Sequence, residues 1–472
     1  MSYEMVIGLE THVELSTKSK IFCSCTTQFG SEPNTQCCEV CTGMPGALPQ
    51  LNRAVVEYAA RAGFALNCDV QPRSIMARKH YVYPDLVKAF QISQFDKPLC
   101  VGGYMDLSDG RRIELTRIHI EEDPGKLMHV GNEVRIDYNR SGIPLIEIVT
   151  EPDFRSIDEV VEYLERLQTT LRAIGVSDCR MQEGSLRCDV NLSLRRHGAA
   201  EYGTRSETKN INSFSAIAAA IEYEYERQSE ILDAGGTVEQ ETRSYDADSG
   251  ETATSRSKEN ADDYRYFPEP DVVPVILEPQ ELDALRASLP ELPDAKLRRY
   301  IDALGVAEAD ARLLTKYSAV SDYFERAIVD VTAKAIASFI VSTVFAEVTT
   351  ETERETFAPT VSAERLNELW RLSESGTINR NTLKRVYGEM AASGEPASAF
   401  ITAEDTAGFS ADDIARLCER AIAENAKTVA DYRAGKEKAI KSLVGFVMRE
   451  TKGRADGVAV ESELTRQLTV NN

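Results

Sequence analysis

Residues 137–153 read DYNRSGIPLIEIVTEPD, and the rest of the chain arranges itself around this stretch. Ile143, Leu145, Ile146, Ile148 and Val149 form a β-branched-rich run, the pattern of a buried strand. Asn139, Arg140 and Ser141 precede it, and Glu151, Pro152 and Asp153 follow, so polar turns bound it on both sides. Glu147 stands in its middle. A carboxylate inside an apolar strand costs roughly several kcal/mol unless it is paired, hydrogen-bonded or metal-bound. Either Glu147 makes a structural ion pair, with Arg140 as a partner, or it helps to hold a metal ion or a reacting group.

Working outward, Glu114–Lys126 (ELTRIHIEEDPGK) alternates as a strand and ends in three adjacent acids, Glu121, Glu122 and Asp123. Val6–Leu15 alternates too, with Glu10, His12 and Glu14 on one face and Ile7, Leu9, Val13 and Leu15 on the other. With Glu147, these carboxylates and the imidazole suit an oxygen-rich site for a hard cation, assembled from strands distant in sequence. Met181–Leu194 and Thr204–Phe214 read as polar strands, with Arg187, Asp189 and Asn191 on one side of the first and Arg205, Glu207 and Lys209 on one side of the second. Such rows line either a polar cavity floor or an exposed sheet face. Ala77–Leu99 and Ser255–Asp271 are rich in cations and aromatics, among which Lys79, Tyr81, Tyr83 and Lys88 can meet phosphates or a base. Ser156 opens a capping box with Glu159, followed by a helical stripe of Val160, Leu164, Leu167, Leu171 and Ile174.

Cys23-Ser-Cys25 and Cys38-Glu-Val-Cys41 have the pairing of a four-thiolate zinc site with a structural role, and Cys37 is a spare thiol that can replace Cys38. The composition, 42% hydrophobic and 28% charged, is that of an ordinary globular protein. Without a secretory leader or a long apolar run, a cytoplasmic protein outside the membrane is expected. The net charge of −22 argues against a uniformly nucleic-acid-binding surface, yet the window 427–454 carries eight Lys or Arg against three acids. Six prolines between Pro268 and Pro293 read as the exit from a first domain and a stiff linker. Past them the strand signal nearly vanishes and helical stripes take over. No P-loop, Rossmann glycine fingerprint or G-x-S-x-G elbow is present, so any enzyme reading rests on the metal-ligand pattern.

VIGLETHVEL, IFCSC with EPNTQCCEVCTGMPGALP, RKHYVYPD with QISQFD, IHIEEDPGK, DYNRSGIPLIEIVTEPD, EGSLRCDVN, ETKNINSF, DYRYFPEPD and DYRAGKEKAIKSLVGFVMRETKGRAD occur in one order along the chain. Together they resemble the GatB family, the B subunits of the aspartyl/glutamyl-tRNA amidotransferases. The resemblance implies an α+β fold: a cradle domain over 1–293 with a mainly antiparallel sheet and flanking helices, a helical domain over 294–405, and a helical tail over 406–472. It implies a carbon–nitrogen ligase with glutamine as amido donor, working as a heterotrimer. ATP and Mg²⁺ activate the side-chain carboxylate of Glu-tRNA(Gln) or Asp-tRNA(Asn). Ammonia from the glutaminase partner, GatA, then displaces phosphate, and a small third partner, GatC, joins the two. His12, Glu122 and Glu147 match the family's Mg²⁺ positions with Glu10 close by, and these four are the expected catalytic and Mg²⁺ residues, with Glu121 as the alternative to Glu122. Lys79, Arg187 and Lys209 match phosphate or substrate contacts, and Cys23, Cys25, Cys38 and Cys41 match the zinc-bearing branch. Lys436, Lys438, Lys441, Arg449 and Lys452 fall in the part that grips tRNA. Thr11, His80, Val82 and Val87 depart from the family's usual residues and spare the expected ligands. The rival expectation is a tRNA-binding scaffold whose chemistry lies in a partner.

Overall fold

Seven strands carry the argument: β1 (Tyr3–Glu14), β2 (Arg112–Glu122), β3 (Pro144–Thr150), β4 (Leu186–Arg196), β5 (Ser206–Lys209), β6 (Glu241–Asp246) and β7 (Glu251–Ser257). They lie in one sheet in the order β7-β6-β5-β4-β1-β3-β2, continued beyond β2 by the short strands Cys100–Val101 and Asp69–Val70. The neighbours from β4 to β2 pair antiparallel, and only the β5–β6 pair among these seven runs parallel. The computed structural model describes residues 3–257, 264–406, 410–451, 453 and 455–470. Part of the cationic, aromatic stretch 255–271 lies outside the described residues.

The alternation in each strand decides which face is which. Leu9 and Val13 of β1, Ile118 and Ile120 of β2, Ile146 and Ile148 of β3, and Val190 and Leu192 of β4 point to one face and are buried in a single apolar cluster. Three helices share that cluster: α1 (Arg53–Ala65), α2 (Ile157–Ala173) and α3 (Phe214–Asp233). Asn52, Ser156 and Ser213 cap them, each side chain accepting a backbone N–H of the first turn, an arrangement worth about 1 kcal/mol per cap. In α1, Gly63 lets the helix approach the sheet closely: a Cβ there would lie 2.4 Å from the Cys100 Sγ. With this face covered by helices, the charged side chains in the middle of β1, β3 and β4 project from the other.

The proline-rich stretch is not a linker. Val275–Ile276 pairs with Arg73–Ser74, and Pro279 starts the helix Pro279–Ala287, where its missing N–H costs nothing. Leu282, Leu285, Leu289 and Leu292 pack against the main core, and Arg53 reaches Glu281 at 2.7 Å. These residues belong to the first of two compact units, Met1–Pro293 and Asp294–Asn472. The second unit is helical throughout its described residues, from Pro293–Asp302 to Gly457–Val470. It holds two separate buried clusters, one around Tyr300, Phe324, Ile340 and Leu366, the other around Cys418, Leu443, Val447 and Leu464. The chain is thus α+β followed by all-α. Among the described residues no helix is long and apolar enough to cross a membrane.

Candidate active site

The register of the sheet builds a polar row across four strands. His119 of β2 faces Glu147 of β3, Glu147 faces His12 of β1, and His12 faces Arg187 of β4. One step along, Glu10 faces Asp189, and Asn191 faces Glu207 of β5. These side chains all project from the face opposite the helices.

Two groups of metal-ligand type result. One nitrogen of His12 and one oxygen each of Glu121 and Glu147 lie within 4.8 Å of one another, as do single oxygens of Glu10, Asp189 and Glu207. His12 joins the groups: its Nδ1 is 2.9 Å from Glu121 Oε1 and its Nε2 3.8 Å from Asp189 Oδ2. Burial opposes charge on His12, but Glu147 and the hydrogen bond to Glu121 outweigh it and push the imidazole up to about 9. Burial likewise opposes ionisation of Glu147, and the two histidines, His119 first, still pull it down to about 2. Burial acts the same way on Glu121, which His119 and His12 nonetheless hold well below the usual carboxylate range. Glu10 is displaced the other way, upward, by burial and by the charges of Glu147 and Glu207. Five carboxylates around one imidazole form a site that gains from a divalent cation. The oxygens of Glu121 and Glu147 suit Mg²⁺, and the His12 nitrogen also suits Mn²⁺.

Glu122 does not join either group. The pleat turns it away from Glu121. Its carboxylate is 2.8 Å from Lys88 Nζ and accepts the Ile92 backbone N–H at 2.8 Å. Glu121, the alternative, lies in the group with His12 and Glu147 instead. Glu10 belongs with Asp189 and Glu207 rather than with His12 and Glu147. Arg140 is not the partner of Glu147: it lies 3.3 Å from Asp123, and His119 Nε2 stands 3.2 Å from Glu147 Oε2 instead. Lys209 reaches both Asp189 and Glu207, the latter at 3.3 Å; burial works against its charge, and these two acids raise its pKa by more. Burial lowers the pKa of Lys79, but Tyr266, Glu121 and Glu147 raise it by more. The Lys79 ammonium stands 4.8 Å from the Tyr264 ring centroid. Arg187 is engaged by Asp123 at 3.0 Å. The sequence reading missed His119 altogether and noted Asp189 and Glu207 only as strand-face residues. The position of His119, two residues before Glu121 on the same pleat, was the available signal.

The four thiols of Cys23, Cys25, Cys38 and Cys41 converge, with their sulfurs within 4.8 Å of one another. Cys37 stays outside, its thiol donating to the Asn34 carbonyl at 3.4 Å. The Cys38 N–H donates to Cys41 Sγ at 3.0 Å, and a hydrogen bond from Cys23 does most to hold the Cys41 thiol down to about 5. A soft set of four sulfurs fits zinc. Ser141 Oγ donates to the Cys41 carbonyl at 2.7 Å, and Ile21 N–H donates to the Gly142 carbonyl at 3.0 Å. The cysteine loop is thereby tied to the turn that leads into β3 and Glu147.

In the second unit, Lys438, Lys441 and Arg449 are exposed on and just before the helix Ile440–Glu450, above buried Ile440, Leu443 and Val447. Lys436 is exposed too and pairs with Asp431 at 2.9 Å. Lys452 and Arg454 lie outside the described residues.

Two family models match the chain: one described as the GatB/GatE catalytic domain over residues 5–283, the other as a GatB domain over residues 322–468. The B subunit of the aspartyl/glutamyl-tRNA(Asn/Gln) amidotransferase of Geotalea daltonii is 46% identical over 478 residues, covering 99% of this chain and 100% of its own length. The protein of the same name from Thermoanaerobacter pseudethanolicus is 46% identical over 475 residues, covering 99% of this chain and 100% of its own length. That of Caldicellulosiruptor saccharolyticus reaches 48% over 477 residues, with 99% of each chain covered. Full-length identity at this level, with both domain models matched in order, makes the chain a member of the GatB family of tRNA-dependent amidotransferases.

Proposed function

We propose that this chain activates the side-chain carboxylate of Glu-tRNA(Gln) or Asp-tRNA(Asn) with ATP and Mg²⁺, and then exchanges the activating phosphate for ammonia. The observation that carries the reading is the pair of acidic groups joined by His12 on the face of the sheet opposite the helices. A tRNA scaffold has no need of five buried or half-buried carboxylates there.

The chemistry follows from the poor electrophilicity of a carboxylate. Its oxygen attacks the γ-phosphorus of ATP, ADP leaves, and the acyl phosphate carries a good leaving group. Ammonia then adds to the acyl carbon, phosphate departs with the former C–O bonding pair, and a proton is lost to give the amide. His12, Glu121 and Glu147 would hold Mg²⁺, which when bound would neutralise charge on the phosphoryl oxygens. Lys79 and Lys209 face this region and offer cationic contacts for phosphate or substrate carboxylate; Arg187, engaged with Asp123, borders it. Glu10, Asp189 and Glu207 form an adjoining oxygen-rich group. Cys23, Cys25, Cys38 and Cys41 would hold zinc in a structural role, fixing the turn before β3. The tail over 406–472 binds tRNA through Lys436, Lys438, Lys441, Arg449 and Lys452, and the region over 294–405 is a separate helical domain. GatA and GatC are the partners, with GatA supplying ammonia, in the cytoplasm.

The test is Glu147→Gln in the heterotrimer, with ammonium salts replacing glutamine. The expected result is ATP-dependent amidation reduced roughly 100-fold or more, with tRNA affinity retained. Unchanged turnover refutes the assignment and favours a scaffold with the chemistry elsewhere.

A further inference from the structure

His119 is almost wholly buried, at 3% exposure, and lies among groups that have an evident use. Its ligand-capable nitrogens fall outside both acidic groups, so it is not counted with the ligands. Arg117, two residues earlier on the same face of β2, points its Nε at His119 Nδ1 at 3.3 Å. An arginine only donates, so in the neutral ring Nδ1 accepts and the proton sits on Nε2. His119 Nε2 stands 3.2 Å from Glu147 Oε2 and 3.8 Å from Glu121 Oε2. Glu147 and His119 are directly opposed in the β2–β3 register, which fixes the approach through backbone hydrogen bonds rather than through a mobile loop. His119 thus stands against one oxygen of Glu147, and the Glu147 carboxylate also lies within 4.8 Å of ligand atoms of His12 and Glu121.

We propose that His119, with its tautomer set by Arg117, is a positioning residue that presents Glu147, and secondarily Glu121, to the metal ion. It reverses the familiar order in which a carboxylate orients a metal-bound histidine: here a histidine orients the carboxylate. The inference rests on the reading of His12, Glu121 and Glu147 as a cation site.

The experiment measures Mn²⁺ binding to the purified heterotrimer by electron paramagnetic resonance, counting the Mn²⁺ that Glu147→Gln abolishes. Four proteins are compared: wild type, Glu147→Gln, His119→Leu and His119→Gln. Leucine fills the space without a donor, and glutamine restores an N–H near the Nε2 position. The expected result is a site weakened about 10- to 100-fold in His119→Leu and largely recovered in His119→Gln. Amidation should follow the same order, with the Mg²⁺ concentration for half-maximal rate rising in His119→Leu. His119→Leu binding Mn²⁺ as tightly as wild type overturns the positioning role while leaving the cation site intact. His119→Gln as weak as His119→Leu also overturns it, since packing rather than the donated hydrogen bond is then what matters. A wild-type heterotrimer with no Glu147-dependent Mn²⁺ refutes the cation site itself, and the role of His119 with it.

Discussion

Raising the pH from 7 to 9 should strengthen divalent-cation binding by roughly 50-fold, because the cation must displace a proton from His12. Burial works against charge on the imidazole, yet Glu147 and Glu121 hold it up at about 9. A metal-bound histidine must be neutral, so below that value each unit of acidity costs a factor of ten in apparent affinity, about 1.4 kcal/mol. The sign is fixed: binding improves as pH rises toward 9 and levels off above it. An unperturbed histidine titrates near 6.5, so its plateau would already be reached by about pH 7.5. The window between those pH values separates the two cases. Glu147, at about 2, and Glu121, lower than usual, are ionised throughout it and release no proton. Glu10 is held above the usual carboxylate range, so a Glu10→Gln background separates its proton from that of His12. The assay is calorimetric titration of the heterotrimer with Mn²⁺ in buffers of different ionisation enthalpy, repeated from about pH 6.5 to 9.5. About one proton should be released per Mn²⁺ at pH 7.5. A flat affinity between pH 7.5 and 9, with no proton released, refutes the reasoning.

Three further outcomes are expected. Cys41→Ser should lower bound zinc from about one equivalent to none and cut the melting temperature, both measurable on the same sample by elemental analysis and calorimetry. Lys438→Ala combined with Lys441→Ala should weaken tRNA binding and make the slope of log affinity against log salt shallower by roughly 1 to 2; an unchanged slope means these exposed cations are merely solvated. Gly63→Ala should destabilise the first unit by about 1–3 kcal/mol, because its new Cβ would lie 2.4 Å from the buried Cys100 Sγ, and calorimetry should detect this while amidation chemistry persists.

Local signals in the sequence were the readable ones. The strand around Glu147, the Glu10 and His12 face, the Ser156 cap and the spacing of the cysteines all depend on residues a few positions apart, and each appears in the fold. Which of Glu121 and Glu122 shares a face with Glu147 was also local. Ile118 and Ile120 define the apolar side of β2, so parity puts His119 and Glu121 together on the other. The acidic triplet masked this by looking like a solvated turn. What could not be read was register. His119 meets Glu147, and Glu10 meets Asp189, across strands whose pairing no short-range pattern specifies. The prolines misled for a different reason: at the first turn of a helix a proline is well placed, so a proline-rich stretch can fold onto a core.

The most direct test of the central claim is to locate the cation. A structure of the heterotrimer with Mn²⁺ and ADP, using anomalous scattering to identify the metal, should show it about 2.1 Å from a nitrogen of His12 and from oxygens of Glu121 and Glu147. A cation bound instead by Glu122, or lying away from this face of the sheet, contradicts the account.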